Sequence, residues 1–300
     1  MTDAGKAQDR DSQDDATPST AQGLDVPDVA ALTRVVALDG PAGSGKSTVA
    51  RRTAQALGWR FVDTGATYRA VTLQVLRSGV PLDDTEAVTR AAESTRLVLD
   101  VDPASSRVEL DGEDVSAEIR GPAVTAAVSA VSAVPGVRRH LVRLQRQLMG
   151  TDGAVVEGRD ISTVVAPLAE VKVYLDAREE VRAQRRAADH AGAQAPRAQD
   201  VASTQPGTST STTTVSEGAV TTGTGASASS ADVAEPMVVD IDAVQADIRR
   251  RDALDNQTNK LEVSEGATHL DTSDLTLEEV VEAVVALVRA AELTEAGDAR

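Results

Sequence analysis

The chain has 300 residues, 41% of them apolar, no cysteine, and 30 basic against 47 acidic side chains for a net charge of −17. That excludes a disulfide framework or a thiolate metal site. It also argues against broad binding of nucleic acid or anionic membranes, since both need a positive surface. No apolar run approaches the ~18 residues of a membrane span, and the polar N-terminus lacks a signal-peptide core. The expectation is a cytoplasmic, monomeric protein that handles small molecules.

Residues 1–31 are rich in Asp, Gln, Ser and Thr, with little to bury. They read as a disordered acidic tail ahead of a folded unit spanning 32–300. Val35-Val36-Ala37-Leu38 is an apolar run of buried-strand type, and residues 47–57 have helical spacing. Between them lies Gly40-Pro41-Ala42-Gly43-Ser44-Gly45-Lys46-Ser47, followed by Thr48. This fits G-x-x-x-x-G-K-[ST], the phosphate-binding loop. Glycines let backbone N–H groups close on a polyphosphate without a Cβ in the way. The helix that follows points its positive end at the anion. Lys46 supplies a cation to the β- and γ-phosphates, and the Ser47 hydroxyl is a hard oxygen suited to Mg²⁺. Residues 40–48 are therefore the expected ATP site.

Trp59 to Val62 reads as a second strand ending at Asp63-Thr64-Gly65, and a helix is expected from about Thr67 to Arg77. The period then changes. Leu97, Leu99 and Val101 alternate, as do Val108 and Leu110, and Asp111-Gly112 turns the chain toward Val115. This predicts a small antiparallel insertion within about 91–120. A helix after Pro135 carries Leu141, Leu144 and Leu148 on one face, and 154–157 and 171–176 are further buried strands. Between Val201 and Ser230 roughly half the residues are Ser or Thr, without apolar periodicity. A disordered insertion at about 191–235 is expected, inside a lid region spanning 182–254. Helix is expected from Ile241 to Leu254, strand at 268–271, and a final amphipathic helix over 275–291 with a Thr276/Glu279 capping box. Alternating strands and helices predict an α/β fold with a parallel five-stranded sheet, flanking helices, a small antiparallel β insertion and an arginine-rich lid.

A phosphate loop serves switches, motors and kinases alike. Asn259-Lys260-Leu261-Glu262 only approaches the guanine-specific Asn-Lys-x-Asp. The remaining segments are more specific: Asp63-Thr64-Gly65-Ala66-Thr67-Tyr68-Arg69, Gly112 to Arg120, Val128-Ser129-Ala130-Val131, Pro135 with Val137-Arg138, Glu157-Gly158-Arg159-Asp160, and Arg250-Arg251-Asp252 with Asp255. In this order they resemble bacterial cytidylate kinases over about residues 33–290 without the insertion. The resemblance implies phosphoryl transfer from ATP, with Mg²⁺, to CMP or dCMP. Alternatives on the same core are a kinase for UMP or AMP and a non-catalytic ATP-binding regulator.

By that resemblance Thr64, Arg69, Ser129, Arg138, Arg159, Asp160, Arg251 and Asp255 bind the acceptor. Lys46, Arg159, Arg185 and Arg251 serve the transferring phosphoryl. The residue chemistry agrees. An acceptor dianion meeting a polyanion needs guanidinium groups that grip oxygens in pairs. A carboxylate such as Asp160 accepts from the cytosine N4 amine and repels the oxygen of uracil there. Arg182, Arg185 and Arg186 precede the insertion and Arg249 to Arg251 follow it, so they flank the lid. Glu157 stands where the family commonly has Asp. Thr258 stands where it usually has arginine, and Glu262-Val263 where it has Pro-Leu, so Lys260 is the substitute cation available nearby.

Overall fold

The computed structural model describes residues 26–194, 241–259 and 263–298. The expectations for residues 1–25, for the Ser/Thr-rich insertion, and for Lys260 and Glu262 lie outside them. Among the described residues, no helix is long and apolar enough to cross a membrane.

Five strands form one sheet: β1 (Val35–Asp39), β2 (Arg60–Asp63), β6 (Ala154–Glu157), β7 (Val171–Asp176) and β8 (Thr268–Asp271). Their order is β2-β6-β1-β7-β8, with every pairing parallel. β1 is buried at all five positions, as expected of a central strand covered on both faces. Alternate residues feed two cores. Val36 and Leu38 join Val155, Val173 and Leu175 beneath α1 (Lys46–Leu57) and α8 (Leu277–Asp298). Val35 and Ala37 join Val156 on the opposite face, under α2 (Thr64–Arg77) and α5 (Pro135–Met149).

The second sheet is an antiparallel meander, β3 (Leu97–Leu99), β4 (Val108–Leu110) and β5 (Glu113–Asp114), within the expected insertion. Its outer loop is fastened to the main fold. Arg51 of α1 donates to the carbonyls of Pro103 (3.0 Å) and Ser105, Gln55 also donates to Pro103 (3.2 Å), and the Phe61 N–H bonds Val101.

Three local differences from the sequence reading have simple causes. α2 begins at Thr64 rather than near Thr67, because Asp63 closes β2 and caps the helix, its carboxylate accepting from Ala66 N at 2.8 Å. A short helix, α3 (Thr85–Glu93), stands ahead of the meander, capped by Asp84 and burying Val88, Ala91 and Ala92. α4 (Pro122–Ser132) forms from the Ala/Val/Ser-rich stretch, with Pro122 opening it. The capping box of α8 forms as expected: Glu279 accepts from Thr276 N at 2.8 Å, and Thr276 Oγ1 accepts from Glu279 N at 3.3 Å.

Two helices border the Ser/Thr-rich insertion. α6 (Glu179–Gln194) leaves β7, and α7 (Ile241–Asn259) returns toward β8.

Candidate active site

All parallel strands end at one edge of the sheet, where an α/β fold gathers its ligand site. The loop between β1 and α1 sits there. Gly40 has φ +146° and lies so close to β7 that a Cβ would be 2.0 Å from the Leu175 carbonyl oxygen. The residue type is thus forced by contact as well as by backbone angle.

Four cations rest on carbonyl oxygens of this loop. Arg159 Nη1 donates to Gly40 (2.6 Å), Lys46 Nζ to Pro41 (2.7 Å), Arg182 Nη1 to Ala42 (3.0 Å) and Arg185 Nη1 to Ser44 (3.2 Å). They come from three places in the chain: the start of α1, the turn after β6, and α6, which supplies both Arg182 and Arg185. Arg185 is also anchored to Thr272, donating to its hydroxyl (2.9 Å) and its carbonyl (2.8 Å). From α7, Asp255 pairs with Arg159 (2.8 Å) and Asp252 with Arg182 (2.6 Å).

Lys46 is buried. Its pKa is lowered to about 7, chiefly by loss of water and next by the Arg159 charge, with Glu157, Asp39 and Asp252 opposing the shift. Glu157, at the end of β6, moves the other way. Burial raises it to about 7, with repulsion from Asp63 adding and Lys46 and Ser47 opposing. The two groups share one dry site and titrate as a pair. Glu157 Oε1 accepts from the Ser47 hydroxyl at 2.7 Å, and the Glu157 carbonyl accepts from Thr64 Oγ1 at 2.7 Å. Ser47 and Glu157 therefore present two hard oxygens side by side.

The turn after β6 carries the acceptor candidates. Asp160 pairs with Arg138 of α5, and both are largely buried. Burial raises the Asp160 pKa, with Arg138 opposing and the Asp39 charge adding. Tyr68 of α2 lies in the field of this pair, and burial lifts its pKa to about 12. Arg69 Nη1 donates to Thr125 Oγ1 (3.0 Å) and to the Ile119 carbonyl (3.3 Å), which joins α2 to α4.

Of the residues expected from sequence, the structure brings Lys46, Ser47, Thr64, Arg159, Arg185 and Asp255 to the loop and its borders, and Arg138 to Asp160. Ser129 lies half-buried on α4, and no hydrogen bond joins it to Arg138 or Asp160. Arg251 falls within α7, but its side chain lies outside the described ones, as does that of Thr258.

Sequence reasoning gave no role to Asp39, Thr272 or Asp252. Asp39 is 4% exposed. It accepts from Ile161 N (2.8 Å), Ser162 N (2.9 Å) and the Ser162 hydroxyl. This fixes the π-helical turn Ile161–Val165 that begins directly after Arg159-Asp160. Its signal was available, as an acid closing an otherwise apolar strand. Thr272 had none, because its value lies in a contact with a residue far away in the chain.

The family model for cytidylate kinase matches residues 36–203 and 229–290. The chain belongs to the cytidylate kinase family. The family match skips 204–228, inside the Ser/Thr-rich stretch. A cytidylate kinase of Mycolicibacterium paratuberculosis is 44% identical over 258 residues, which cover 85% of this chain and 95% of that one. The cytidylate kinase of Nocardia farcinica is 43% identical, covering 83% and 90%. That of Pelotomaculum thermopropionicum reaches 54% over 152 residues, covering 50% and 67%.

Proposed function

We propose that the protein transfers the γ-phosphoryl group of ATP to CMP or dCMP, giving ADP and CDP or dCDP. One observation carries this beyond family membership. Two consecutive residues join the two halves of the site, since Arg159 bonds the donor loop at Gly40 while Asp160 bonds Arg138. A donor held by the loop and an acceptor held by the pair are thereby neighbours.

Gly40 to Thr48 cradle the triphosphate. Lys46 meets the β- and γ-phosphates, and a triphosphate beside it restores the charge that burial weakens. The oxygens of Ser47 and Glu157 suit Mg²⁺, a hard cation that takes few protein ligands and completes its shell with phosphate and water. Bound there, it would neutralise developing negative charge on the phosphates.

Thr64, Arg69, Ser129, Arg138, Arg159, Asp160, Arg251 and Asp255 form the acceptor site. Asp160 accepts from the cytosine amine and Arg138 donates to its acceptor atoms, while the Asp255 carboxylate suits the ribose. Arg159 already pairs with Asp255 and touches the donor loop, so it is placed to bridge acceptor and transferring phosphoryl. Arg185 and Arg251 supply further positive charge from the lid. Phosphoryl transfer through a loose transition state needs alignment and charge compensation above all. We place the acceptor insertion at about 91–120 and the lid at 182–254. We read the protein as a monomer of the cytoplasm.

The test is ADP release by purified protein supplied with Mg²⁺, ATP and each of CMP, dCMP, UMP and AMP in turn. A clear preference for the cytidine nucleotides is expected. ATP binding without acceptor-stimulated ADP release would sink the reading.

A further inference from the structure

The lid places a carboxylate on a loop made for anions. Asp252 of α7 accepts from the Ala42 N–H through Oδ1 (3.2 Å) and from Arg182 Nη1 through Oδ2 (2.6 Å). The same Arg182 nitrogen donates to the Ala42 carbonyl (3.0 Å). Both polar groups of Ala42 are thus engaged by one ion pair that spans the two arms of the lid. Asp252 also lies close enough to Lys46 and Tyr174 to act on their titration.

We infer that Asp252 is a positioning residue for phosphoryl transfer: it holds the donor loop and Arg182 together until a triphosphate displaces it. On the loop the carboxylate stands in for a phosphate oxygen. It occupies a loop N–H, offsets part of the cationic charge and keeps Arg182 turned onto the Ala42 carbonyl. A triphosphate on the loop brings like charge beside Asp252. Repulsion and competition for the Ala42 N–H then favour its withdrawal, which frees Arg182 to turn toward phosphate oxygens. Because Asp252 sits on α7 and Arg182 on α6, this exchange links occupancy of the donor loop to the placement of both lid arms. The inference rests on the donor-loop reading above.

A neutral isostere separates the exchange from simple bracing. In Asp252→Asn the shape is kept and the competing charge is gone. ATP affinity, measured by calorimetry on the full chain without acceptor, should rise about tenfold, which corresponds to about 1.4 kcal/mol. The melting temperature without nucleotide should fall, because the Arg182 pair is lost, while at saturating ATP parent and variant should melt together. A purely structural brace would lower both melting temperatures alike and leave ATP affinity equal or weaker, and that result would overturn the inference. A second variant, Asp252→Glu, keeps the charge and should keep the parent's affinity to within about threefold; a tenfold gain there would equally overturn it. Failure of the parent protein itself to bind ATP would instead strike the donor-loop reading.

Discussion

Replacing Asp39 by Asn tests how the acceptor turn is held. The carboxylate serves Ile161 N through Oδ1, and Ser162 N and Oγ through Oδ2. Asn keeps one oxygen for Ile161. Its Nδ2 then faces Ser162, whose hydroxyl can rotate to accept, but whose backbone N–H meets another donor. One bond to a charged acceptor is lost, worth about 1.5–3 kcal/mol, and a buried N–H is left without a partner, costing about 1–3 kcal/mol more. A loss of about 3–5 kcal/mol follows. In a chain of this size each kcal/mol moves the melting temperature by about 2–4 °C, so a fall on the order of 10 °C is expected by circular dichroism. Because Asp160 precedes the turn, the KM for CMP should rise about tenfold or more, with ATP affinity changed much less. A melting temperature within about 2 °C of the parent together with an unchanged CMP KM would refute the reasoning.

Three further outcomes follow from the site. Asp160→Asn leaves Arg138 as an uncompensated buried charge, a loss of about 3–5 kcal/mol; kcat/KM for CMP should fall at least about 100-fold and that for UMP by less, so the ratio of the two narrows in steady-state assays. Burial, with the Arg159 charge adding, holds the Lys46 pKa well below the ordinary lysine value. Triphosphate favours its charged form, and ATP binding at pH 8 should therefore be accompanied by net proton uptake, read from calorimetry in buffers of different ionisation enthalpy; proton release would contradict this. Deleting 204–228, which the family match skips, should leave kcat for CMP within about twofold.

The fold was legible where periodicity and chemistry coincide. The buried runs at 35–38, 154–157 and 171–176 become adjacent parallel strands β1, β6 and β7, and the alternation around Asp111-Gly112 becomes the meander. Helices α3 and α4 were missed because they are short and their buried faces are built only from valine and alanine, Val88, Ala91 and Ala92 in one and Val124, Ala127 and Val131 in the other. The loop between β1 and α1 was legible as a loop because its glycines and Lys46 fall in a fixed pattern between a buried strand and a helix. The pairing of Arg138 with Asp160 was visible only through family resemblance, since 22 positions separate them. The parking of Arg159, Arg182 and Arg185 on loop carbonyls could not be read at all. Sequence shows that arginines flank the Ser/Thr-rich insertion, but only packed coordinates show which oxygen each one finds.

The fastening of the meander's outer loop to α1 has a dynamic consequence. Enzymes that bring two nucleotides together generally close around them. Here Arg51 and Gln55 moor the far tip of the small sheet at Pro103 and Ser105, so a swing of that sheet away from α1 has to break these bonds first. Its motion is thereby tied to the helix that opens directly on the glycine-rich loop.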